Sequence, residues 1–287
     1  MSFAETVLLG AIAGFTIFLG LPVGRVERVD DRLRVALAMF SVGILVFIFV
    51  DVTGHGQAIV DAALGSFKDH RTSFAHVLGL FGLLAAGFTV GTAGIYTVER
   101  RLRAKGPLRP PIAGGEAAAD AGAERLAAYK ADASAPSRRA LQTGMTVAVA
   151  IGLHNFAEGL AIGVSARAGA IGLATVLIVG FSLHNASEGF GIVGPLGGTR
   201  PSWAWLGMAG LIAGGPTFLG TIVGYQVHSD PLELLFYGLA GGAILYVVGE
   251  IWTGMRRYGH RAVGLYFLAG GFLAGVATDL IVSYGGG

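Results

Sequence analysis

Cysteine is absent from the 287 residues, which excludes disulfides and any thiolate site of the kind that selects soft ions such as Cu(I). Charge is scarce as well. Asp, Glu, Lys and Arg make up 13% of the chain, about half of the roughly one quarter that soluble domains carry. There is no G-x-x-x-x-G-K-[ST] loop, so nucleotide use is not indicated, and no His-Glu-x-x-His pattern of a zinc hydrolase. A formal net charge of +2 offers nothing for a polyanion, and no nucleic-acid partner is expected.

What is present is apolar. Hydrophobic residues make up 53% of the chain, with 48 glycines, too much apolar surface for one soluble core, so the composition calls for lipid. Eight windows are long enough to cross about 30 Å of hydrocarbon at about 1.5 Å per residue. They run over 4–24, 33–52, 72–98, 141–165, 169–194, 202–227, 231–253 and 262–284. The first lacks a basic leading segment and ends in Leu21-Pro22-Val23-Gly24 followed by charges, so it reads as a retained helix and not a cleaved signal. Lys and Arg fix the expected orientation: 17 of the 20 fall in odd-numbered connections and three in even-numbered ones. Because basic loops stay in the cytoplasm, both termini are expected outside a plasma (inner) membrane. The expected fold is all-α, one polytopic transmembrane domain over 1–287. Residues 99–139, rich in Ala, Pro, Gly and charge, read as a mobile cytoplasmic loop within it, with a short helix near 117–129.

The strongest local signal is a repeat offset by 30 residues. Gly152-Leu153-His154-Asn155-Phe156-Ala157-Glu158-Gly159 is matched by Ser182-Leu183-His184-Asn185-Ala186-Ser187-Glu188-Gly189. On a helix, His and Glu at i and i+4 lie about 40° apart and Asn at i+1 about 60° from the Glu, so the three share one face. The two helices are consecutive with a short connection near 166–168 and must run antiparallel. The fourth and fifth spans therefore form a central inverted pair whose ligand faces can meet near mid-membrane, a recurring transporter arrangement. Mutually satisfied packing residues would be the plainer reading. Buried carboxylates and imidazoles are costly in a bilayer, however, and here they recur at matching positions. Two imidazoles, two carboxylates and two amide oxygens suit one divalent transition metal or two, bridged by Glu158 and Glu188. Gly159 and Gly189 are assigned to packing.

These residues resemble the ZIP (Zrt/Irt-like) family of metal transporters, whose fourth and fifth helices carry similar His-Asn-x-Pro-Glu-Gly motifs. The eight spans, external termini and long third loop are similar too. The resemblance implies metal ligands at His154, Asn155, Glu158, His184, Asn185 and Glu188. It also implies movement of zinc, or of iron, manganese, cobalt, nickel or cadmium, into the cytoplasm by alternating access. The cargo is the divalent metal, with no organic cofactor and no catalytic residues. The chain departs from the family in three places. Ala157 and Ser187 replace the motif prolines, Gly215-Pro216 stands where many bacterial members have Glu-Pro, and Gly249-Glu250 stands where a His-Glu pair is usual. Asp51 (expected to end the second helix, with His55 four residues on), Glu250 and Asp279 are auxiliary pathway candidates. A metal-dependent intramembrane hydrolase and a non-transporting metal-binding protein are the alternatives. The expected partners are the metal ion and the bilayer, with a homodimer left open.

Overall fold

A chain in lipid satisfies its backbone N–H and C=O groups within each helix, and apolar windows of this length do so here. The computed structural model describes residues 1–26, 30–104, 135–169, 171–226 and 229–286, and there is no strand among them. The elements are α1 (Phe3–Phe15), continued by 3-10 turns over Thr16–Leu19 and Leu21–Arg25; α2 (Asp31–Lys68); and α3 (Phe74–Thr89), joined by a π turn (Val90–Gly94) to α4 (Ile95–Ala104). Then follow α5 (Ala135–Arg167), α6 (Ile171–Val193), α7 (Trp203–Gln226), α8 (Asp230–Arg256) and α9 (Arg261–Gly286). Among the described residues, seven helical stretches are long and apolar enough to cross a membrane. To these α6 adds 23 residues, about 35 Å of helix. The protein is an all-α polytopic membrane protein, and α5 and α6 are the fourth and fifth spans.

Local chemistry explains the ends. Ser2 caps α1 reciprocally: its Oγ accepts from the Glu5 N–H at 3.3 Å, while the Glu5 carboxylate accepts from the Ser2 N–H at 2.8 Å. Past Phe15 the chain tightens into 3-10 turns, one of which holds Pro22, a residue with no N–H to continue an α-helix.

One expected boundary is corrected. The second span does not stop at 52, because α2 continues to Lys68, 38 residues in all, or about 57 Å. Nothing between 53 and 68 breaks a helix, and the segment has apolar neighbours to cover it: Ile59, Val60, Ala63 and Leu64 pack with Leu80, Leu83 and Leu84 of α3. Asp51 therefore lies inside α2 and is not a helix-end cap. The expected loop over 99–139 is shortened at both ends, because 99–104 belong to α4 and 135–139 to α5. Its centre, with the short helix expected near 117–129, lies outside the described residues.

The spans pack in two groups, α1, α5, α6 and α7 in one and α2, α3, α8 and α9 in the other. Within each group, glycines bring backbones into contact. A Cβ on Gly159 or Gly220 would run into a carbonyl oxygen across the α5–α7 seam (Thr217 and Phe156), and one on Gly43 or Gly271 would do so across α2–α9 (Leu268 and Phe40). Gly189 lies as closely against Gly20, which bears out the packing role expected of both motif glycines. Between the groups, where α5 packs along α8 and α6 along α9, the glycine contacts are with side chains, as where Gly191 of α6 faces the Ser41 side chain of α2.

The chain's alternation puts Lys68, Arg167, Tyr225 and both termini at one end of the bundle, the terminal face. Tyr225 stacks edge-on against Phe3 at 5.3 Å and lies under Arg167 at 5.5 Å. The opposite, basic face holds Arg25 over Trp203 at 4.7 Å and Arg257 bonded to the Pro195 carbonyl at 3.0 Å.

Candidate metal centre

With Ala157 and Ser187 in place of proline, α5 and α6 run unbroken through both motif copies. All six side chains are buried within protein: His154, Asn155, Asn185 and Glu188 are fully enclosed, Glu158 is 3% exposed and His184 6%. The first copy and Glu188 of the second come together. His154 Nε2 lies 2.9 Å from Glu188 Oε1 and 3.8 Å from Glu158 Oε1. The Asn155 amide donates to Glu188 Oε2 at 3.4 Å. His184 stands apart on the side of the terminal face, its ring near those of Phe47 at 6.2 Å and Phe181 at 6.3 Å.

The two asparagines are held in matching ways. Asn155 Nδ2 donates to the Ala213 carbonyl of α7 at 2.9 Å, three residues before Pro216. A proline removes one helical N–H, here the partner of the Ile212 carbonyl, and crowds the preceding turn, so the α7 backbone is irregular next to Ala213. Asn185 Nδ2 donates to the Ala13 carbonyl at 3.0 Å, at the end of α1 where the α-helix gives way to 3-10 turns. Each amide is thus spent on an irregular neighbouring helix, and each Oδ1 is left buried without a hydrogen-bond partner.

The same is true of most donors in the cluster. Both ring nitrogens of His154 and of His184, both Glu158 oxygens and Glu188 Oε1 lack hydrogen bonds. The 2.9 Å approach of His154 to Glu188 does not meet the geometry of a hydrogen bond. Buried polar atoms are normally satisfied, and a bare carboxylate at mid-bilayer costs about 3 kcal/mol or more. The donor set is N and O only, as cysteine-free chemistry requires. Among the described residues, no three His, Asp or Glu side chains surround one point as a closed chelate would.

A cavity of about 260 Å³ reaches from Glu158 and His184, past Phe47 and Asp51, to Val164, Ser165, His55, Glu233 and Tyr237 toward the terminal face. Toward the basic face, Ile44, Leu45, Ile192, Val247 and Ile251 form a packed core with no more than 4% exposure. The cavity at that end, about 430 Å³ around Met39 and Trp252, has no motif residue in its wall.

Of the auxiliary residues, Asp51 lines the cavity that meets the motifs. Asp279 is exposed on α9. Glu250 is half-buried near the basic end of α8 and lines none of the cavities described above. Sequence reasoning missed Glu233 and Tyr237. A Glu in the first turn of a helix behind Pro231 looks like ordinary N-terminal charge. Only their i, i+4 spacing could have marked them as one face.

A search of curated proteins finds no match. The family model described as ZIP Zinc transporter matches residues 110–249, a stretch that includes both motif copies and the Pro216 turn that anchors Asn155. That match, with the eight spans among the described residues, supports membership of the ZIP zinc transporter family, whose members carry divalent metal cations across membranes.

Proposed function

We propose that the protein carries a divalent transition-metal ion, zinc foremost, into the cytoplasm through a site formed by His154, Asn155, Glu158, His184, Asn185 and Glu188. The observation that carries this reading is the set of buried, unpartnered N and O donors on two antiparallel helices, open to a cavity on one side. A cation supplies what they lack. At the tetrahedral angle of zinc, a nitrogen and an oxygen each at about 2.1 Å stand about 3.4 Å apart, so the 2.9 Å pair of His154 Nε2 and Glu188 Oε1 would open slightly to take an ion. Glu158 and His184, at the cavity's inner end, would meet the ion first, and His154 with Glu188 would hold it deeper. The imidazoles favour zinc, cadmium, manganese or iron over magnesium and calcium, which prefer all-oxygen shells.

In this reading the terminal face is outside, as the basic connections on the other face require, the membrane is the plasma membrane, and the site is open outward. The two helix groups supply the moving parts. Backbone seams make each group stiff, while the side-chain contacts between groups can slide, carrying the ion from one face to the other. Liposomes holding the purified protein are expected to take up zinc. Cadmium, manganese and iron should compete at about equal concentration, whereas an excess of about a hundredfold of magnesium or calcium should not. Vesicles that bind zinc but show no flux of any of these ions would rule transport out.

A further inference from the structure

The 260 Å³ cavity above the motifs reaches partly exposed residues, Asp51 and His55, at its outer end. It meets a second, wider cavity of about 610 Å³ at the terminal face, and His55, Glu233 and Tyr237 line both. The neck between them is built from two helices that each present residues one turn apart. Asp51 and His55 face it from α2, and Glu233 and Tyr237 face it from α8, with the His55 and Tyr237 ring centroids 5.8 Å apart.

His55 is arranged as a ligand. Its Nδ1 lies 2.9 Å from the Asp51 backbone carbonyl and 3.6 Å from Asp51 Oδ1. A carbonyl can only accept, so Nδ1 is the donor in this contact, and in the neutral ring Nε2 then keeps its lone pair. That is the tautomer and support a metal-binding imidazole uses. With the Asp51 and Glu233 carboxylates, the neck combines one nitrogen donor and two anionic oxygens, the same donor classes as the central site. The unpartnered His184 nitrogens, 94% buried, and the Glu158 carboxylate line the far end of the same cavity.

We propose that Asp51, His55 and Glu233 form a separate outer binding station, where a divalent transition-metal ion from the wide cavity is held with part of its water before it passes to Glu158 and His184. This rests on the reading of the motif cluster as the transport site. Tyr237 narrows the neck and is not a ligand. The three ligands do not close on one point, so binding here is weaker and faster than at the centre, as loading requires. α2 supplies two of the three because it continues as helix past the point where the second apolar window ends.

Two measurements on the full chain test the station. In zinc uptake by proteoliposomes, Glu233→Gln is expected to raise KM about tenfold and keep the maximal rate within about twofold, the pattern of lost ground-state binding. Glu233→Asp, which keeps the charge, should recover most of the loss, and His55→Ala should behave as Glu233→Gln does. An unchanged KM in Glu233→Gln, or a fallen maximal rate with unchanged KM, would overturn the proposal. The second measurement removes the centre. In Glu158→Gln/Glu188→Gln protein, cobalt(II) alone is added and followed by its visible absorption. One weakly held equivalent should remain and should vanish when Glu233→Gln is added. No cobalt binding in the double variant, or binding indifferent to Glu233, would overturn the station. This second readout does not depend on flux, so the station can stand or fall apart from the transport reading.

Discussion

Replacing Glu158 and Glu188 together with Gln is expected to reduce zinc uptake to the level of protein-free liposomes while leaving the fold intact and, in metal-free buffer, more heat-stable than the native chain. Both effects have one cause. The two carboxylates are buried; Glu158 has no hydrogen bond to either oxygen, and Glu188 has only the long contact from the Asn155 amide and the His154 approach, so without an ion they are poorly compensated in a low-dielectric interior. Exchanging buried ionic groups for neutral ones of similar shape is often neutral or stabilising, by about 1–4 kcal/mol. With them goes the negative charge that offsets an ion's lost hydration, and a divalent ion then has only neutral imidazoles and amides to meet it. Added zinc should raise the melting temperature of the native protein and not that of the variant. A variant that is well folded and still transports at near the native rate would remove the site from where it is placed. A destabilised variant would mean that the carboxylates are held by partners after all.

The second large effect is mechanical. Gly159→Val should unfold or severely destabilise the protein, because its Cβ would stand against the Thr217 carbonyl oxygen of α7, a backbone atom that cannot move aside. Overpacking of this kind costs about 1–3 kcal/mol where side chains can yield, and more where a backbone seam must part. Gly215→Ala is the matched control. It lies on the same helix as Thr217, nothing stands within 4 Å of its added Cβ, and the change should stabilise by up to about 1 kcal/mol through helix propensity alone. Thermal melts in detergent decide the matter. Equal loss in both variants would refute the seam as the cause.

Much of this architecture was legible because it rests on patterns of the chain itself. Window length and the scarcity of charge mark the spans, and the 30-residue repeat names the six central side chains. The rest depends on partners that no local pattern carries. That α2 continues beyond residue 52 is decided by Leu80, Leu83 and Leu84 of another helix, which give its last turns something to pack on. That Asn155 and Asn185 anchor their amides on neighbouring helices is decided by the carbonyls of Ala213, close to Pro216 in α7, and of Ala13, where α1 tightens. Glu233 acquires its place from a neck formed between α2 and α8, although in sequence it is one acidic residue in a first helical turn. The missing motif prolines were visible from the start, and their consequence is the one chemistry dictates: α5 and α6 pass through the site unbroken.

The side-chain contact between the two helix groups also offers a way to hold them still. A Cβ on Gly191 would lie 3.6 Å from that of Ser41, within the separation of about 3.5–4.5 Å that a disulfide spans. The native chain has no thiol to interfere. A Ser41→Cys/Gly191→Cys protein should therefore work as a lockable carrier: oxidation pins α2 to α6 and stops zinc flux, and a reductant restores it. Undiminished flux with the bridge closed would mean that this joint does not slide during transport.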